Sequence, residues 1–277
     1  MPELCIHECK ELSFLIPGFE ERGTFDRVIA TQYGKADPSK LWGAVTPHYL
    51  YDHLIPEKLR RFMPAGKFIV ILRDPVDRAV SNFRMMLAQG HESRPIDEVM
   101  NLQLEPEYLE KQRESDLYHG ADLDSYIAWG EYGRLLEAFL EVNSRESLLV
   151  CFLEELSANP DREFHRICKF IGAGEQASPE NLGVRYNNSE ERETLIQRLF
   201  AKMRENEWLR QLGRKLVSAQ ARREIVYRYS LQTSRNVTPT ILSTDTEGRL
   251  VKHFEPDVRK LETLIGRSAP WMRFAID

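Results

Sequence analysis

Arg73, Asp74, Pro75, Arg78 and Ser81 follow directly on the apolar run Phe68-Ile-Val-Ile-Leu72. That run is unbroken and rich in β-branched residues, the pattern of a parallel strand covered on both faces. Asp74 offers a helix cap, and Pro75 suits a first helical position, where no N–H is needed. Val76, Ala79, Val80, Phe83 and Leu87 then recur at spacings of three and four, so one face of an amphipathic helix points back at the sheet. Arg73 therefore stands at the carboxyl end of a strand beside a positive helix N-terminus, an arrangement that suits a phosphate. Arg78 and Ser81, three apart, are expected on one exposed helix stripe, offering a fixed cation and a hydroxyl. Arg-Asp-Pro at a helix start is also compatible with plain capping beside a solvated arginine.

Arg73-Asp-Pro-x-x-Arg78-x-x-Ser81-x-Phe83 after a hydrophobic strand resembles the 3′-phosphate-binding motif of sulfotransferases that use 3′-phosphoadenosine 5′-phosphosulfate (PAPS). The bacterial and heparan-sulfate-type branch is the nearest in pattern. The resemblance implies that Arg73 and Ser81 hold the 3′-phosphate of the nucleotide. Further pieces carry it. Pro2-Glu-Leu-Cys-Ile6 and Lys10-Glu11-Leu-Ser-Phe14 match a segment that follows the first strand, phosphosulfate loop and first helix in these enzymes. In that segment the glutamate is the base that removes the acceptor's proton, which assigns the role to Glu11 and leaves Lys10 as a possible sulfate contact. Thr46-Pro47-His48-Tyr49-Leu50 matches a second segment, although Ala44 and Val45 stand where Glu and Lys are common. A lysine there would help to stabilise charge on the transferring sulfate.

Gly130-Glu-Tyr132 and the strand-like Ser147–Leu156 stretch resemble scaffold pieces of the same family. So does the end of the chain, Phe254-Glu-Pro256-Asp257-Val258 followed by Leu261, Leu264, Gly266, Arg267 and Trp271. Physically that end is a helix of period 3.6 stopped by a glycine, with Trp271 as anchor. Asn159-Pro160 starts an amphipathic helix over Arg162–Ile171, closed by Gly172. Shorter helices are expected over Ile55–Phe62, Leu109–Ser115 and around Phe25–Tyr33, and the 181–230 region is mostly helical by pattern. Arg235 lies in a polar loop where family members often close the nucleotide site.

The alternation of strands and helices predicts an α/β fold with a central parallel sheet flanked by helices, and the resemblance implies a P-loop-like sulfotransferase fold as one domain over residues 1–277. The Gly- and Lys-rich phosphosulfate loop has no counterpart after any hydrophobic strand, so the sequence reads as N-terminally incomplete by about 30 residues, the size of one such unit. A degenerate copy that binds nucleotide or a partner without catalysis is the alternative. A kinase-like phosphotransferase would need a Walker-type loop, which is also missing.

Composition bounds these readings. With 277 residues, 42% hydrophobic and 10% aromatic, the chain can build a core. A net charge of -5 argues against a general nucleic-acid partner, while leaving room for a local basic pocket. Cys5, Cys9, Cys151 and Cys168 match neither a zinc spacing nor a disulfide framework. No apolar run reaches the length of a membrane span, and the expected setting is cytoplasmic. PAPS is the expected donor, with no metal; the acceptor and oligomeric state are open.

Overall fold

The computed structural model describes residues 4–6, 41–89, 91–114, 125–174, 177–179, 182 and 240–275, with Arg27 and Ala30. Strand β1 (Leu4–Ile6) pairs in parallel with β2 (Leu41–Gly43), Leu4 opposite Leu41. Helix α1 (Ile55–Phe62) leads into β3 (Phe68–Leu72), then α2 (Pro75–Gln89), α3 (Ile96–Gln103), α4 (Pro106–Glu114) and α5 (Tyr132–Val142). Strand β4 (Leu148–Phe152) returns beside β3 in parallel register, Phe68 opposite Leu148 and Leu72 opposite Phe152. Helices α6 (Leu153–Ala158), α7 (Pro160–Ile171) and α8 (Thr244–Ile265) follow. The architecture is α/β: among the described residues β1 pairs only with β2 and β3 only with β4, two parallel two-stranded sheets flanked by helices.

Helix α2 behaves as its apolar spacing predicts. Val76, Ala79 and Phe83 are buried, and Val80 and Leu87 pack against the same core from its margin. Its start is fixed by Asp74, whose Oδ1 accepts from the backbone N–H groups of Val76 at 2.9 Å and Asp77 at 3.1 Å. The backbone N–H of Asp74 in turn donates to Glu154 Oε1 at 3.0 Å, so the ends of β3 and β4 are tied together.

Strand β3 differs from the expectation of burial on both faces. The core takes up Phe68, Val70 and Leu72, whereas Ile69 and Ile71 are 37% and 56% exposed. An all-apolar run carries no alternation, so nothing in it distinguishes a strand buried on one face from one buried on two. Strand β4, with Leu148, Val150, Cys151 and Phe152 buried, does have both faces covered.

Helix α8 runs along α5 and buries Leu250, Phe254, Val258 and Leu261. It starts earlier than the sequence pattern suggests, because Ser243 caps it by accepting from the Thr246 N–H at 3.2 Å. The two helices approach closely at Gly133, where a Cβ would stand 2.3 Å from the backbone oxygen of Asp257. Asp257 uses that proximity to cap α5. Its Oδ2 accepts from the Gly133 N–H at 2.8 Å and its Oδ1 from the Arg134 N–H at 2.9 Å. Gly266 ends α8 in the left-handed conformation at φ 70°, as Gly172 ends α7 at φ 77°. Trp271 then packs edge-on against Phe152 at 5.2 Å, which anchors the following turn, Met272–Phe274, to the end of β4.

At the junction of α4, α5 and α8 lies Glu131, only 3% exposed in its side chain. It accepts from Arg113 at 2.6 Å and 2.9 Å and from Arg134 at 2.7 Å, and His253 Nε2 lies 3.1 Å away. Burial pushes its carboxyl up, but the hydrogen bonds from His253 and Arg113 and the charge of Arg134 outweigh that and bring it to about 2.

Candidate functional site

Strand β3 ends at Leu72, and the next side chain, Arg73, opens into a cavity of about 370 Å³ at the N-terminal part of α2. Ser81 lines the same cavity from the second turn of the helix. The two residues singled out for a phosphate thus share one space. Asp77, Val80 and Arg84 also face it. At about 100° per residue, Asp77, Ser81 and Arg84 fall within one narrow stripe of α2.

Arg78 does not belong to that stripe. It lies about 60° round the helix from Ser81, on the side opposite Arg84, and instead of facing the cavity it donates to the carbonyl of Tyr126, with its Nε unpartnered. The shared stripe expected for Arg78 and Ser81 is therefore formed by Arg84 and Ser81. Periodicity alone does not separate Arg78 from Arg84, each about 60° from Ser81.

The opposite wall comes from distant sequence. Thr240, Ile241 and Leu242 pass over the cavity, held by a 2.6 Å hydrogen bond from Arg84 Nη2 to the Thr240 carbonyl. Arg273, in the turn after Trp271, closes the rim. Its Nη1 lies 3.0 Å from Asp74 Oδ2 and 2.9 Å from Asp77 Oδ1, and its Nε donates to Glu247 Oε1 at 2.9 Å. Burial works against its charge, but Asp74 and the other carboxylates hold the guanidinium firmly protonated. Asp74 itself is pushed up by burial, with the Asp77 N–H and Arg273 opposing. No local sequence signal marks Arg273, since only the fold brings it to α2.

Arg73, Arg84 and Arg273 line the cavity with the Ser81 hydroxyl at the first turns of a 15-residue helix, beside the carboxylates of Asp77 and Glu247, a set of groups suited to a phosphate monoester. Arg73 and Ser81 would hold it. Among the described residues no group of three or more His, Cys, Asp or Glu side chains gathers to hold a metal. Nor is any described helix long and apolar enough to cross a membrane.

The other residues named from sequence are placed less fully. Glu11, Lys10 and Arg235 lie outside the described residues, as do the side chain of His48 and most of the helix expected over Phe25–Tyr33. Val45 is described and is 49% exposed, an apolar side chain where the resembling segment has a lysine.

Comparison with known proteins bears on the family and the fold. The family model "Sulfotransferase domain" matches residues 17–229. Carbohydrate sulfotransferase 15 of Rattus norvegicus is 25% identical over 169 residues, covering 56% of this chain and 30% of that protein. The Mus musculus protein of the same name is 26% identical over 155 residues, covering 51% and 28%. The chain thus spans less than a third of the length of these curated relatives. A crystal structure of a sulfotransferase from Alicyclobacillus acidocaldarius superposes with a TM-score of 0.62 at 20% identity, covering 97% of this chain and 88% of that one, which shows a shared fold. With most of its length matched by the family model, the chain belongs to the sulfotransferase domain family.

Proposed function

We propose that this protein transfers a sulfuryl group from PAPS to a hydroxyl or amine acceptor, leaving 3′,5′-ADP. The observation that carries the reading is the convergence of Arg73 and Ser81 on one cavity at the end of β3. Arg73 would supply charge to the 3′-phosphate and Ser81 a hydrogen bond, with the N-terminal turns of α2 behind them. The transfer forms a bond between the acceptor oxygen or nitrogen and sulfur and breaks the bond from sulfur to the 5′-phosphate oxygen. The acceptor's proton passes to a carboxylate, which the resemblance assigns to Glu11. A saccharide hydroxyl is the favoured acceptor, on the strength of the rodent relatives named as carbohydrate sulfotransferases.

The second reading, a nucleotide-binding relative without catalysis, is favoured by one observation: exposed Val45 where a lysine would face the sulfate. Binding and turnover separate the two. Calorimetric titration of 3′,5′-ADP into the protein and into Arg73→Ala should show at least a tenfold loss in the variant, about 1.4 kcal/mol. Incubation with PAPS and a panel of saccharides should then yield sulfated product if the first reading holds. Binding without product across amine and hydroxyl acceptors would support the second, and no effect of Arg73→Ala on binding would remove the 3′-phosphate site.

A further inference from the structure

The cavity holds three cations, Arg73, Arg84 and Arg273, yet it is not strongly positive. Asp77 and Glu247 line it as well, and Asp74 stands directly behind Arg273. Three carboxylates therefore offset the three guanidiniums. All three carboxylates contact Arg273: Asp74 at 3.0 Å, Asp77 at 2.9 Å and Glu247 at 2.9 Å. Two of them are needed elsewhere. Asp74 caps α2, and Asp77 sits in its first turn, where acids favour the helix. Asp77 lines the cavity that an incoming phosphate would enter, and Asp74 pairs with the Arg273 that closes it; charges act over roughly 8 Å at physiological ionic strength.

We infer that Arg273 is a positioning residue for phosphate binding: by holding Asp74 and Asp77 in ion pairs, it lets an acid-capped helix N-terminus accept a dianion. This rests on the reading of the cavity as a phosphate site. The guanidinium is suited to the task because one Nη1 reaches both aspartates while Nε turns to Glu247, a fork that the single ammonium of a lysine cannot reproduce. The backbone under it is fixed independently, by Trp271 and Phe274, each 3% exposed. Removal of Arg273 leaves two cations facing three carboxylates. Removal of Asp77 instead leaves three cations facing two.

The test is calorimetric titration of 3′,5′-ADP, with adenosine 5′-monophosphate as the ligand lacking a 3′-phosphate, into five proteins: wild type, Arg73→Ala, Arg273→Gln, Asp77→Asn, and the double variant Arg273→Gln/Asp77→Asn. Arg273→Gln is expected to weaken 3′,5′-ADP at least tenfold, and adding Asp77→Asn to recover most of that loss. Asp77→Asn alone is expected to tighten it about threefold. The monophosphate should change less than twofold throughout. A merely structural Arg273 would weaken the monophosphate as well, so an equal loss for both nucleotides overturns the inference, as does a loss that Asp77→Asn fails to restore or wild-type affinity in Arg273→Gln. If Arg273→Gln does not fold, Asp77→Asn alone still decides, because unchanged or weaker binding refutes charge balance. Failure of the underlying reading looks different: there Arg73→Ala is silent, or the wild type does not distinguish the two nucleotides.

Discussion

Ser81 and Arg84 show how a single turn of helix decides which side chains line a cavity. Ser81 lines the cavity with Arg73, while Arg78, nearer in sequence to Arg73, turns away to the Tyr126 carbonyl. Ser81→Ala should weaken 3′,5′-ADP by about tenfold, the cost of one hydrogen bond to a charged group, with an unchanged melting temperature. An equal loss for the monophosphate would place Ser81 elsewhere on the nucleotide. Arg73 and Ser81 both line the cavity, and the sequence pointed to them through a local strand end and the family resemblance, while their hold on a phosphate belongs to the proposal. Arg273 was not legible, because a residue 196 positions from Asp77 leaves no mark in the local pattern. Glu131 was equally hidden, read only as a link in a Gly-x-Tyr match. Its pairing with Arg113, Arg134 and His253 predicts that Glu131→Gln destabilises the fold by about 3 kcal/mol, the lower end for a broken buried pair because the arginines remain about a third exposed. Urea denaturation measures this.

At the scale of elements, the contact of α5 with α8 explains a signature that the sequence yields only as identity. Phe254-Glu-Pro256-Asp257-Val258 places Phe254 and Val258 in the core and Asp257 on the N-terminus of α5. Gly130 and Gly133 are the complementary half. A Cβ at Gly130 would meet Phe254 Cε1 at 2.8 Å, and one at Gly133 would meet the Asp257 oxygen. Gly133→Ala should therefore destabilise by about 2 kcal/mol from overpacking, despite the gain of about 1 kcal/mol that alanine brings to an unconstrained helix. Thermal unfolding of the variant checks the sign. Asp257→Ala should cost about 1 kcal/mol as a lost cap. The start of α8 escaped the sequence reading for a related reason: its first turns are polar, so only the Ser243 cap, not an apolar period, announces them.

At the scale of the molecule, acid stability should follow Glu131. Its folded carboxyl titrates at about 2 against an ordinary 4.5, so it stabilises the native state fully above pH 4.5. That contribution, about 3 kcal/mol, is lost progressively as the pH falls through 4.5 toward 2. Urea midpoints measured across this window should decline in the wild type, and the decline should shrink in Glu131→Gln. The α/β architecture itself was plain in the alternation of β3, α2, β4 and α7. What the sequence concealed is how the sheet is covered, since Ile69 and Ile71 look as apolar as Leu72 yet face outward.

The ion pairs of Arg273 also set a clock on biosynthesis. Asp77 leaves the ribosome 196 residues before Arg273, an interval of about 10–40 s at ordinary elongation rates. Throughout that time Arg73, Asp74, Asp77 and Ser81 are present without the cation that balances the acids. On the inference drawn for Arg273, nucleotide in the cell would have little to grip on the growing chain and would not template its folding. Ribosome-arrested chains stopped before Trp271 should pass a 3′,5′-ADP resin that retains those extended far enough to expose Arg273. Equal retention of both would show that the half-built cavity already suffices.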